Sequence, residues 1–104
     1  MLINLTPHAI TVAGRTIEPS GTVPRVSVRQ VEDGDIEGIP VVRTVYGAVE
    51  GLPLPAEGTT YIVSALVLSA LAGARTDVCA PDTSPASAIR NDAGQIVGVR
   101  RLTR

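Results

Sequence analysis

The chain has no phenylalanine, no tryptophan and no lysine, and only one cysteine, one histidine and two tyrosines in 104 residues. Without large rings, the core volume must come from Val, Ile, Leu and Ala, and the β-branched members of that set suit a pleated surface. Such a core is thin, so part of the apolar surface is expected to be covered by another copy of the chain, giving a homo-oligomer. Cys79, being alone, excludes an intrachain disulfide and a cysteine zinc cluster, and it fits a reducing compartment. Long apolar runs are also missing. The longest, Tyr61 to Ala72, is far short of the ~20 residues that span a bilayer and contains Ser64 and Ser69, so no membrane partner is expected. Met1 to Leu5 lacks the basic region of a secretion signal, which leads to the expectation of a cytoplasmic protein.

What charge there is comes balanced. All nine basic residues are arginines, and the net charge of −1 gives no global pull toward nucleic acid or anionic lipid. Arg100, Arg101 and Arg104 form a short basic stretch without the aromatic residues on which bases stack, so nucleic acid is not an expected partner. The length suits a single domain over residues 1–104.

Periodicity predicts an α+β fold, a mostly antiparallel twisted sheet with one buried helix at about residues 65–73. Ile3 and Leu5 mark a first strand that Thr6-Pro7 interrupts. Alternation then resumes with His8, Ile10 and Val12 on the apolar side, and a type II′ turn at Gly14-Arg15 sets Val12 opposite Ile17. Arg25 to Val31 alternates as a half-buried strand. Residues 32–38, EDGDIEG, read as a polar loop. Ile39 to Tyr46 is apolar on both faces, as a central or interface strand would be, with Val41, Val42 and Val45 at or near the contact between copies. GAVEGLPLPAEG reads as a connection and TTYIV as a short strand. Ser64 is placed to cap the helix and Gly73 to stop it. ASAIR and QIVGVRRL form a last hairpin, turned through Asn91 to Gly94 with glycine in a bulge position.

Five polar residues are candidates for a ligand site. The His8 imidazole can serve as a base, or it can simply pack beside Ile10 and Val12 at the proline corner. Ser64 caps the helix, and the free amides beside it could meet an anion. Arg75 and Asp77 lie two apart in an extended segment, so they point to the same side and could flank a polar pocket. Arg90 joins them if the last hairpin packs beside Arg75. No catalytic residue, metal site or cofactor is assigned. His8 has no second histidine for a metal, and the Glu32, Asp33, Asp35 and Glu37 cluster reads as a solvated hairpin tip. No P-loop, GxGxxG or GxSxG occurs, and His8 with Asp77 is a thin inventory for an enzyme.

The segments NLTPHAITV, GIPVV, YGAVEGLPLP, GTTYIVSALV and RTDVCAPD, taken together, resemble a family of short proteins encoded by tailed bacteriophages, prophages and mobile elements. Its members open with N-L-T-P-H and carry Y-I-V-S followed by R-T-D, and the resemblance covers nearly the whole chain. The family has no assigned activity. What the resemblance implies is context: an accessory gene product in the cytoplasm of an infected or lysogenic bacterium. His8, Ser64, Arg75 and Asp77 fall inside those segments. From them follow two expectations. One is a binding protein for a nucleotide-like or other anionic ligand that sequesters a host defence signal. The other is a protein that binds a host protein, or assembles into a phage structure, without a small ligand.

Overall fold

Three sheets and one helix make up the chain in the computed structural model, which describes residues 1–104. The first sheet joins β1 (Leu2–Asn4), β6 (Thr60–Ile62), β7 (Val78–Pro81) and β10 (Leu102–Thr103) in that order. Its first two pairings are parallel and the last is antiparallel. The second sheet has the order β3 (Arg15–Ile17), β2 (Ile10–Val12), β9 (Ile96–Val99), β8 (Ala88–Arg90), with a parallel contact between β2 and β9. The third is a two-stranded ribbon of β4 (Arg25–Ile36) and β5 (Ile39–Glu50). Strand makes up 48% of the chain and the one helix, α1 (Ala65–Leu71), is short, so the strand-rich reading with a single helix holds.

The mostly antiparallel reading holds only in part: the ribbon is antiparallel, but the other two sheets mix parallel and antiparallel pairings. The reason is local. The connection from β6 through α1 to β7, residues 63–77, is long enough to return the chain in the same direction, as a parallel pairing requires. Leu5, Tyr61, Val63, Val67 and Val78 form the core that this unit encloses, with Ile3, Val26, Val49, Leu52, Leu68 and Leu71 packed around it.

The helix begins as expected. Ser64 is extended, and its Oγ accepts from the Val67 amide at 3.3 Å. It ends earlier than expected, because Ala72 itself takes the left-handed conformation (φ 49°) and its amide donates to Ser69 O. The expectation of a buried helix is corrected too: Val67 alone is buried, and Leu66 on the outer side is 44% exposed. A helix of seven residues on the surface of a thin body has only one side to cover.

Two turns differ from the sequence reading. Ala13 (φ 49°) and Gly14 (φ 79°) both take positive φ, which makes a type I′ turn and sets Val12 opposite Arg15 and Ile10 opposite Ile17. Residues 32–38 are not a loop. β4 continues to Ile36, a bulge at Gly34 (φ 77°) absorbs the extra residue, and only Glu37 and Gly38 turn the chain. Likewise β5 runs on through Gly47 to Glu50, where a connection was expected. Acidic and small residues are compatible with this ribbon because neither of its faces is fully covered along its length. The last hairpin forms between Ala88–Arg90 and Ile96–Val99, with Asn91 Oδ1 accepting from the Ala93 and Gln95 amides across the turn. It is shorter than read, since Leu102 leaves it to pair with Pro81 in the first sheet.

The ribbon changes the shape of the molecule. Its radius of gyration is 16.1 Å, against about 13 Å for a rounded domain of this length. Only the ribbon's base, Val26 and Val49, packs on the core; the rest projects as an arm.

Candidate functional site

At the N-terminal corner, the buried polar residue is Asn4 rather than His8. Asn4 is 1% exposed and sits where β1 pairs with β6 on one side and meets Pro19 on the other. Its Nδ2 donates to His8 O at 2.8 Å and to Ile17 O at 3.0 Å, while its Oδ1 accepts from the Thr6 amide at 2.9 Å. The Thr6 hydroxyl lies within donating distance of both Asn4 Oδ1 and His8 O. Proline at position 7 forces a bend that strips the backbone of ladder partners, and these two side chains supply them. His8 contributes its carbonyl to this knot, and the residue is exposed rather than packed against Ile10 and Val12, because β2 starts only at Ile10. Asn and Thr flanking a Leu before Pro was the signal available in the sequence.

Arg75 and Asp77 do meet. Arg75 Nε donates to Asp77 Oδ1 and Nη2 to Oδ2, both at 2.8 Å, and Nη2 also reaches Pro53 O at 3.0 Å. Each side chain is about four-fifths covered. The guanidinium, donating to both oxygens, holds the Asp77 carboxyl below the usual carboxylate range, and the same hydrogen bonds raise Arg75. The pair anchors the Pro-rich connection around Pro53 to the start of β7.

The other candidates stand apart. Ser64 caps α1 at the end opposite Arg75. Arg90 is on the outer strand of the second sheet and donates to Gly94 O within its own hairpin. None of the four surface depressions of the molecule is lined by His8, Ser64, Arg75, Asp77 or Arg90. Burial raises the Cys79 thiol, which points at Tyr61 O between strands. No group of three or more His, Cys, Asp and Glu side chains is placed to hold a metal ion, and no helix is long and apolar enough to cross a membrane.

The arm is built differently. Cross-strand neighbours share a face, so Val28 with Tyr46, Gln30 with Thr44 and Glu32 with Val42 line one side, and Arg29 with Val45 and Val31 with Arg43 line the other. Gln30 Nε2 donates to Thr44 Oγ1 at 3.3 Å in the middle of the first face. At the tip Ile36 and Ile39 stand opposite each other, 66% and 65% exposed. Arginines 25, 29 and 43 occupy the near and middle parts of the arm, whereas Glu32, Asp33, Asp35 and Glu37 crowd the far part. None of these charged side chains forms an ion pair within the chain. Because the ribbon has only two strands, the outer edge of each carries backbone groups without a ladder partner.

No family model, no curated protein and no solved structure matches this chain.

Proposed function

We propose that this chain is an assembly protein of a bacteriophage or mobile element, working in the host bacterial cytoplasm, whose β4–β5 arm joins it to another protein chain. The observation that carries this reading is the arm. A folded chain rarely projects a ribbon with an isoleucine pair at its tip, unpaired charges along its length and open backbone edges, unless a second surface covers them. Strand addition supplies affinity through the backbone, and the alternate side chains supply selectivity. The ligand reading of His8, Ser64, Arg75, Asp77 and Arg90 is set second, because only Arg75 and Asp77 are in contact and they hold each other.

A photo-crosslinking side chain placed at Ile39, in cells that produce the protein, tests the reading. Crosslinks from position 39 should concentrate on one polypeptide. The control is position 54, since Leu54 is 84% exposed but lies outside the arm. Equal and diffuse crosslinking from both positions overturns the proposal, as does a nucleotide that stabilises the fold while the arm remains uncrosslinked.

A further inference from the structure

The arm's own charge order says what kind of strand would fit it. Along β4 the charges run Arg25, Arg29, then Glu32, Asp33 and Asp35, positive near the body and negative toward the tip. A strand with that order complements itself when it runs antiparallel, because each acidic end then lies beside a basic one. β5 has no such order, since its charges are Arg43 and Glu50 alone, and Pro40 withdraws one of its amide donors. The two edges of the arm are therefore unequal, and only that of β4 is free of proline.

We propose that two copies of this chain pair through the outer edges of β4, antiparallel about a two-fold axis at Val31, to form a four-stranded sheet in the order β5, β4, β4 of the partner, β5 of the partner. The proposal rests on the reading of the arm as an interaction element and names its occupant. With the axis at Val31, Arg29 faces the partner's Asp33, and by symmetry Asp33 faces the partner's Arg29. Gln30 faces the partner's Glu32, an amide donor beside a carboxylate. Arg25 is carried toward the acidic tip at the partner's Glu37. A shift of one residue, to an axis between Gln30 and Val31, would set Arg29 opposite the partner's Glu32, but it pairs residues whose side chains lie on opposite faces of the ribbon, so the ladder cannot hold that pair. The bulge at Gly34 re-aims β4 beyond Asp33 and so confines the tight register to Arg29–Asp33 on each copy. Val41, Val42 and Val45 on β5 then lie one strand out from the axis, near the contact but not in its ladder.

An axis through Val31 makes it the one position that meets its own copy, at a Cα separation of ~4.5–5.5 Å, within disulfide range. Val31→Cys in a Cys79→Ala background should give a covalent dimer on mild oxidation, while Val42→Cys in the same background stays monomeric. The unmodified protein at micromolar concentration should sediment at twice the 10.8 kDa chain mass. Arg29→Asp and Asp33→Arg should each weaken the dimer by about tenfold or more in Kd, and the double exchange should restore it. A monomer at every concentration, equal crosslinking at positions 31 and 42, or no rescue by the double exchange overturns the self-pairing. The broader reading has its own readout: crosslinks from Ile39 to a different polypeptide, with the free chain monomeric, reject this partner and keep the arm.

Discussion

The body and the arm reverse each other's chemistry. In the body polar groups are buried and, Ser84 Oγ excepted, answered. Asn4 and Thr6 satisfy one another and the bend after Pro7, and Ser87 Oγ, fully buried, accepts from the amides of Arg100 and Arg101 at 3.1 Å. In the arm apolar groups are exposed and the charges have no partner within the chain. The difference teaches where each part's stability comes from. The body closes on itself, whereas beyond Val26 and Val49 the arm is held by its own cross-strand pairs. A substitution should therefore be felt through folding in one region and through association in the other.

The largest expected effect is at Asn4. Asn4→Leu keeps the volume but leaves the buried Thr6 amide without its acceptor and the Ile17 carbonyl without the Asn4 amide, while His8 O is left with the Thr6 hydroxyl alone. Each such group costs ~1–3 kcal/mol, so a loss of about 3–5 kcal/mol is expected. Thermal unfolding followed by circular dichroism should show Tm falling by at least about 12 °C. A loss under about 1 kcal/mol would break the contrast, since the knot would then be no more than decoration.

Acid should come next, again through the body. Asp77 is held below its ordinary value by Arg75, and Asp82 is brought down to about 2, chiefly by Arg101 and then by the Ser84 amide. Both groups titrate near 3.8 in the unfolded chain. As pH falls below that value, the unfolded state takes up these protons before the folded state does. The stability the two carboxylates provide is present above pH ~4 and is lost as pH falls through their folded values. Urea midpoints measured from pH 5 to pH 2 should show this decline. Asp77→Asn with Asp82→Asn should be less stable at pH 5 and flatter below it; a parallel decline in the variant sinks the assignment.

How much of this was legible in the sequence differs by region for the same physical reason. Where a short motif settles the local geometry, the reading held. Ser64 caps the helix, and Asn91 to Gly94 turns the last hairpin, because side-chain and glycine preferences act over a few residues. Arg75 and Asp77 fell on one side because extended backbone repeats every second residue. In the arm, Arg25–Val31 and Ile39–Tyr46 are the strands the sequence suggests, but their continuations read as loop and connection because EDGDIEG and GAVE lack the alternation that burial imposes on one face. A solvated ribbon has no such face to mark. The parallel pairings of β1 with β6 and of β2 with β9 join distant segments, and nothing in either segment specifies its neighbour. Within the site region, the family resemblance drew attention to His8, whereas the buried work of that segment falls to Asn4 and Thr6.

The smallest effect on folding should come from the arm's tip. Ile36 and Ile39 face each other across the Glu37-Gly38 turn and touch little else, with about two-thirds of each exposed. Replacing both by threonine keeps the β-branched backbone preference and removes apolar surface that is already in water. The cross-strand pair contributes ~0.2–1 kcal/mol at most, so folding stability should change by about 0.5 kcal/mol or less. The matched substitution in the body is Ile62→Thr, where the side chain is wholly buried and the new hydroxyl finds no water. That change should cost about 2–4 kcal/mol. The threonine pair at the tip should instead show itself as reduced crosslinking from a probe at neighbouring Glu37, with Tm within about 4 °C of the parent. If the tip variant unfolds as readily as Ile62→Thr, the arm is part of the core after all. If it folds normally and crosslinks as before, the isoleucines are not the contact, and the partner must be held by the edge and charges of β4 alone.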